Sequence, residues 1–312
     1  MKDHPEGEFG LRRVLLDWGI DAVELDYAAV GFGDYHWIAT GADGRRWFVT
    51  LADLATKVHC GLGVAAAGPG LRRAMDTAWE LRHGGLDFVV APEKTAGGET
   101  VRPAGEQYAV SVFPLLEGSS GDFGDTPRGS VVDLLASLHG VTPPGCVPVL
   151  DPDLALRARL EESFGELDRP WDAGPYAEPA RELLAGHLPG LRRRLAEFDH
   201  RIAELSPDRV VTHGEPHPGN VLWAGENRFL LDWDTVGLAV RERDLAFATD
   251  EELQRYEELT GHRPDPATLA TYRLRWDLDE VAVYVELFRQ PHARTEDTGL
   301  AWAELAEIVA KL

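Results

Sequence analysis

Residues 210–234 constrain this chain more tightly than any other stretch. Two apolar runs, VVT at 210–212 and VLW at 221–223, flank the octapeptide His213-Gly214-Glu215-Pro216-His217-Pro218-Gly219-Asn220. A third run, FLLDW, closes in Asp232-Trp233-Asp234. Apolar, β-branched runs bounded by Gly and Pro read as short strands. Pro216, Pro218 and Gly219 rule out a helix through the loop, because proline lacks the backbone N–H that a helix interior needs. The segment therefore has to fold as strand, stiff loop, strand, with its polar groups gathered at strand ends.

That arrangement carries chemistry. The carboxylate of Glu215 suits accepting or orienting a hydroxyl proton. An amide oxygen five residues later, at Asn220, can ligate a metal ion, and Asp232 at the end of the next strand can hold the same ion against nucleotide phosphates. Asp234 either touches metal or caps a turn. His213 and His217 are four residues apart, but zinc would want such a pair on a helix, which the prolines exclude. His213 is expected to hydrogen-bond the loop backbone, and Asp244 to brace the loop from outside.

The rest of the chain is consistent with two regions. Residues 11–18 read as a short amphipathic helix. The aromatic and β-branched runs at 25–40 and 45–53 read as a hairpin around the turn sequence GADG. Helical spacing predicts a helix over 71–83, ended by Gly84-Gly85. FVVAPEKT (88–95) and QYAVSVFPLLEG (107–118) read as further strands. After the linker-like GSSGDFGDTP, helices are expected near 128–139, over 153–167, and over 176–205 with a break at Pro189-Gly190. From 241 onward the sequence is mostly helical. The expected division is residues 1–115 as a small nucleotide-binding region and 116–312 as a catalytic and substrate-binding one.

Charge narrows the partners. The 312 residues carry 31 Lys plus Arg against 53 Asp plus Glu, a formal net charge of −22. Such a surface repels phosphate backbones, so a nucleic-acid binder is not expected. It attracts a small cationic substrate. The 2 cysteines fit a reducing compartment. No apolar run approaches the roughly 20 residues that span a bilayer, and no signal peptide is evident. A cytoplasmic protein that does not engage membranes is expected, as monomer or dimer.

The ordered set His213, Gly214, His217, Gly219, Asn220, Asp232 and Trp233 resembles the core of the aminoglycoside phosphotransferase family, where the loop commonly reads HGDxHxGN. The likeness extends to ERDLAF at 242–247 and to YRLRWDLDEVAVYVELF at 272–288. VGFGDYHW at 30–37 is most similar to the spectinomycin-phosphotransferase-like branch. The resemblance implies an α+β, two-lobed protein-kinase-like fold, with a small, mainly antiparallel β lobe and a larger helical one. It implies phosphoryl transfer from ATP, or GTP, with Mg2+ to a hydroxyl of a small cationic antibiotic-like sugar. It carries roles to Glu215, Asn220 and Asp232 as catalytic and metal-binding groups. Gly31, Gly33, Thr50, Phe113 and Leu115 become nucleotide contacts, and Asp279, Glu280 and Glu286 substrate contacts.

Two departures stand out. The family's catalytic Asp is Glu215 here, one methylene longer. The family's phosphate-binding Lys lies on the third strand, where this chain has Thr50; Lys57, Arg45 and Arg46 are the nearby cations. These departures leave a second reading open, a kinase-like module that binds a nucleotide, an antibiotic or a protein without transferring phosphate.

Overall fold

The computed structural model describes residues 10–30, 33–121 and 129–312. In chain order the first elements are α1 (Leu11–Leu15), β1 (Ala22–Tyr27), β2 (Tyr35–Gly41), β3 (Arg46–Asp53), α2 (Val64–His83), β4 (Arg102–Ala104), β5 (Tyr108–Pro114), β6 (Ser119–Ser120) and α3 (Gly129–His139). There follow α4 (Arg157–Phe164), α5 (Ala177–Ala203), β7 (Val210–Thr212), β8 (Val221–Ala224), β9 (Asn227–Leu230) and β10 (Gly237–Ala239). The chain ends in α6 (Glu242–Leu245), α7 (Asp250–Thr260), α8 (Pro266–Arg289) and α9 (Glu296–Lys311).

Contacts divide the chain into two compact units. The first holds the described residues up to Leu150 together with Asp208–Arg263; the second holds Asp151–Pro207 with Pro264–Leu312. The first unit is built on an antiparallel sheet of order β1-β2-β3-β5-β4. Alternation on β3 sends Trp47, Val49 and Leu51 to one face, where they pack with Trp37, Val110, Val112 and the α1 residues Leu11 and Leu15. The opposite face presents His36, Thr50 and Ser111 in one cross-strand row, with Ile38, Phe48 and Phe113 in another. Smaller pairings join β10 to β7, and β6 to β8 and β9. The second unit is a helical bundle whose core includes Leu184, Leu195, Phe198, Leu278, Val285, Phe288 and Leu305. Arg157 clasps Asp199 through two hydrogen bonds of 2.7 and 2.9 Å, tying α4 to α5. No helix among the described residues is long and apolar enough to cross a membrane.

Three local expectations fail for identifiable reasons. Residues 88–95 form no strand of the main sheet. Their backbone groups are spent elsewhere: Val90 N–H donates to Leu230, Leu230 N–H to Phe88, and Glu93 N–H to Val112. Pro92 offers no N–H to extend a ladder, and the sheet's remaining strand is β4 instead. The helix expected from residue 71 begins at Val64 and runs through Pro69. α5 runs unbroken through Pro189. Packing against neighbours outweighs the loss of one helical hydrogen bond at each proline.

Gly70 of α2 permits an unusually close backbone approach. A Cβ built there would lie 1.8 Å from the carbonyl oxygen of Cys60. Without it, the turn carrying Lys57, His59 and Cys60 rests directly on α2. We expect Gly70→Ala to destabilise the protein by about 2 kcal/mol, since backbone cannot yield as a side chain would. Gly186→Ala, on an α5 position with open space around it, should stabilise by roughly 0.5–1 kcal/mol from helix propensity alone. Chemical denaturation of both variants checks the opposite signs.

Candidate active site

The octapeptide loop is suspended between β7 and β8 and is held by its own backbone. His213 is fully buried. Its Nε2–H donates to the Leu231 carbonyl at 2.8 Å, while Nδ1 accepts the Glu215 N–H at 3.3 Å. A neutral imidazole fits these two roles, one donor and one acceptor. Burial pushes its pKa down to about 4, against the pull of Asp244. Asp244 of α6 accepts from His213 N–H and Gly214 N–H, both at 2.7 Å, and from His139 Nε2 at 3.1 Å. The expected brace is thus realised by two backbone bonds. Arg243, its neighbour, donates to Thr212 Oγ1 at 2.8 Å and to the Thr235 carbonyl at 3.0 Å, linking the two loops. Gly214 has φ of 106°, and a Cβ there would fall 2.2 Å from the Arg243 guanidinium. Conformation and space both require glycine at this position.

Asn220 closes the loop at the end of a single 3-10 turn, Pro218–Asn220. Its amide nitrogen donates to the Glu215 carbonyl at 3.0 Å and lies 3.2 Å from His217 Nε2. The donor side of the amide is committed to the loop, and the oxygen is the group suited to a cation. Leu231 N–H donates to the Asn220 carbonyl at 2.9 Å, which sets the loop beside the following segment.

That segment carries Asp232, the one non-glycine among the described residues with positive φ, at 58°. Backbone strain of this kind clusters at functional sites. Trp233, buried against the His213 ring at 4.7 Å, anchors the turn. Asp232 is open to solvent, yet the Asp234 carboxylate beside it, and then the surrounding protein, push its pKa well above the ordinary range. Asp234 goes the other way. Burial opposes its ionisation, but Lys57 and His59 outweigh burial and hold it well below the ordinary value.

Lys57 is the centre of this cluster. It leaves the turn after β3, where Cys60 N–H donates to the Lys57 carbonyl at 3.0 Å. Its Nζ sits 2.6 Å from Asp234 Oδ2 and 2.8 Å from Asp34 Oδ2. His59 Nε2 lies 3.1 Å from Asp234 Oδ2. Burial opposes charge on Lys57, but Asp234, Asp34 and Asp232 together raise its pKa well above the ordinary value. Glu215 is raised as well, first by burial and then by Asp234.

A divalent cation fits here. Hard oxygen donors are available in Asp232 and in the Asn220 amide, and the repulsion that disfavours ionised Asp232 is what a cation would relieve. Asp232 and Asn220 are the residues that would hold it.

The other expected residues are more scattered. Gly31 lies outside the described residues. Gly33 immediately precedes Asp34, the residue that reaches Lys57. Thr50 is half-buried on β3, with Oγ1 3.2 Å from His36 Nδ1. Phe113 pairs across from Phe48 on β5, and Leu115 follows that strand, half-buried. Asp279, Glu280 and Glu286 belong to α8 in the second unit; Asp279 is 2.8 Å from Arg275 on the same helix. The sequence carries no signal for His59; Asp34 has one only as part of VGFGDYHW, the stretch quoted for the resemblance. Arg243 has one, as the residue before Asp244 in ERDLAF.

The sequence pattern of the phosphotransferase enzyme family (APH) matches residues 34–284. Protein StrN of Streptomyces griseus is 30% identical over 251 residues, covering 74% of this chain and 75% of that protein. The structure of a spectinomycin phosphotransferase in complex with ADP and spectinomycin superposes with a TM-score of 0.73, at 16% identity and 98% coverage of each chain. An amicoumacin kinase in complex with AMP-PNP and Ca2+ gives a TM-score of 0.61 at 15% identity, covering 98% of this chain and 94% of that one. These structural likenesses establish the kinase-like fold.

Neutral His213 makes stability depend on pH. The unfolded chain protonates this imidazole near its ordinary value of 6.5 and the folded chain only near 4. Across that window the unfolded state binds more protons, so stability is complete above pH 6.5 and falls as pH drops toward 4. The full loss is about 3 kcal/mol. We expect His213→Gln to flatten this dependence, read from urea midpoints at about pH 7 and about pH 5.

Proposed function

Since this chain belongs to the phosphotransferase enzyme family, we propose that it transfers the terminal phosphoryl group of ATP to a hydroxyl of a small, cationic, sugar-like natural product, an antibiotic of the aminoglycoside or spectinomycin kind. The observation that carries this reading is that Glu215 and Asn220 share one loop braced by Asp244 and Arg243, joined through Leu231 N–H to the segment of Asp232, whose carboxylate feels that of Glu215. In this reading residues 1–115 receive the nucleotide, and residues 116–312 provide the catalytic loop and the substrate surface.

Each group has a definable task. The Glu215 carboxylate accepts the hydrogen bond of the substrate hydroxyl, fixes it in line with the phosphoryl group and takes its proton as transfer proceeds. Its raised pKa brings its basicity closer to that of a useful proton acceptor near neutral pH. Asn220 and Asp232 hold Mg2+. When bound, Mg2+ neutralises developing charge on the phosphate oxygens. Gly33 and its surroundings, Thr50 on the half-buried face of the sheet, and the backbone at Phe113 and Leu115 form the nucleotide side. On the acceptor side, Asp279, Glu280 and Glu286 are the proposed partners of substrate amines, and a net charge of −22 supports a cationic substrate.

Coupled detection of ADP release against a panel of aminoglycosides and spectinomycin, with ATP or GTP as donor, tests the reading. Glu215→Gln should lower kcat by roughly 10²–10⁴-fold and leave nucleotide affinity unchanged. Because only ionised Glu215 accepts a proton, wild-type kcat should fall as pH drops through its raised pKa, and the glutamine variant should lack that acidic limb. Asp232→Asn should lower turnover and weaken metal dependence. Turnover unaffected by either change would sink the assignment. Nucleotide binding without ADP release from any acceptor would favour the binding-module reading.

A further inference from the structure

The strand position where this family keeps its phosphate-binding lysine is Thr50 here, and its hydroxyl is engaged with His36 rather than with a charge. The chain nevertheless brings an ammonium to the site from elsewhere. The turn after β3 folds back on Gly70 of α2 and aims Lys57 at the Asp232-Trp233-Asp234 segment. Its side chain is 9% exposed and lies between Asp234 and Asp34.

The two partners differ. Asp234 is locked in place by Lys57 and His59, within a turn anchored by Trp233. Asp34 follows Gly33 and gives Lys57 only one oxygen. Its other oxygen, Oδ1, is buried without a hydrogen-bond partner. A buried acceptor left unmet destabilises the arrangement that holds it. Lysine, a point charge with three rotatable donors, can trade one acceptor for another without moving its stem. Carboxylate and phosphate oxygens present it with the same kind of acceptor, and phosphate bears more charge.

We propose that Lys57 is the phosphate anchor of this protein, supplied from the turn after β3 in place of a strand lysine, and that Asp34 is the carboxylate it releases when a nucleotide phosphate arrives. Asp234 stays bonded throughout and keeps the ammonium next to Asp232, so cation and metal ligand act on one polyphosphate. This inference rests on nucleotide-dependent phosphoryl transfer as the protein's activity. It adds a residue that reads phosphate and a residue that competes with phosphate.

Calorimetric titration of the full chain with ATP and with adenosine, in saturating Mg2+, separates the phosphate contribution from that of the base. Lys57→Met should weaken ATP roughly 10- to 100-fold while adenosine affinity stays within about twofold. Asp34→Asn should act in the opposite direction, tightening ATP roughly 3- to 10-fold with adenosine unchanged, because the competing acceptor is gone. Should Lys57→Met fail to melt cooperatively, Asp34→Asn decides alone. If wild type binds ATP but the Lys57→Met ratio of ATP to adenosine affinity matches it, or if Asp34→Asn fails to tighten ATP, the anchor and its exchange are wrong while the nucleotide reading stands. If wild type binds neither ATP nor adenosine, both readings fall together.

Discussion

The site depends on one buried ammonium set among carboxylates. Lys57 faces Asp34 and Asp234 directly, and feels Asp232 beyond them. Removing an ion of this kind from water is costly, and only close, well-directed partners offset that cost. The pairing therefore contributes more to arrangement than to net stability. It ties three stretches together that are far apart in sequence: the residues after Gly33, the turn after β3 and the turn after β9. It also divides the Asp232/Asp234 pair into unlike members. Asp234, bonded to Lys57 and His59, keeps its charge. Asp232, left facing that charge, is disfavoured as a carboxylate.

A second set of contacts makes this cluster possible by holding the loops that carry it. Asp244 turns two backbone N–H groups of the octapeptide inward, and Arg243 ties the same region to the loop that follows Asp234. Between them Gly214 and Asp232 adopt backbone conformations that most residues avoid. Glycine meets this conformation without strain at Gly214, whereas the strain at Asp232 is sustained because the bracing bonds over-determine the loop. The neutral His213 belongs to this frame. Burial depresses its pKa, and both its nitrogens are spent on backbone groups that suit the neutral ring.

A kinase-like loop with glutamate in place of aspartate keeps its carboxylate but changes its reach. Glu215 sits partly buried, with Asp234, His59, Arg243 and Lys57 all acting on its charge. Burial is the first cause of its raised proton affinity, and the Asp234–Lys57–His59 cluster modulates it. Glu215 and Lys57 are electrostatically joined, so changes to one are felt by the other.

The sequence alone determined the strand–loop–strand unit and the order of its polar groups, because proline, glycine and β-branched residues restrict the backbone locally and leave few alternatives. It also determined the kinase-like fold and the general run of helices from 241 onward. It misjudged 88–95, the start of α2 and the continuity of α5, where the outcome turns on which distant backbone groups are available as partners and on whether tertiary packing outweighs a proline. In the site, Glu215 and Asn220 were legible as candidates because a stiff loop places them at fixed spacing, and Asp232 because it ends the next apolar run. Lys57 was visible only as one of several nearby cations, Asp34 only as a member of VGFGDYHW with no partner assigned, and His59 carried no signal. Their roles come from contacts such as Lys57 with Asp234, 177 residues apart in the chain. No local rule encodes such a pairing. It exists because Gly70 lets a turn settle on a helix and thereby aims a side chain at acids that the loop brings in from the other direction.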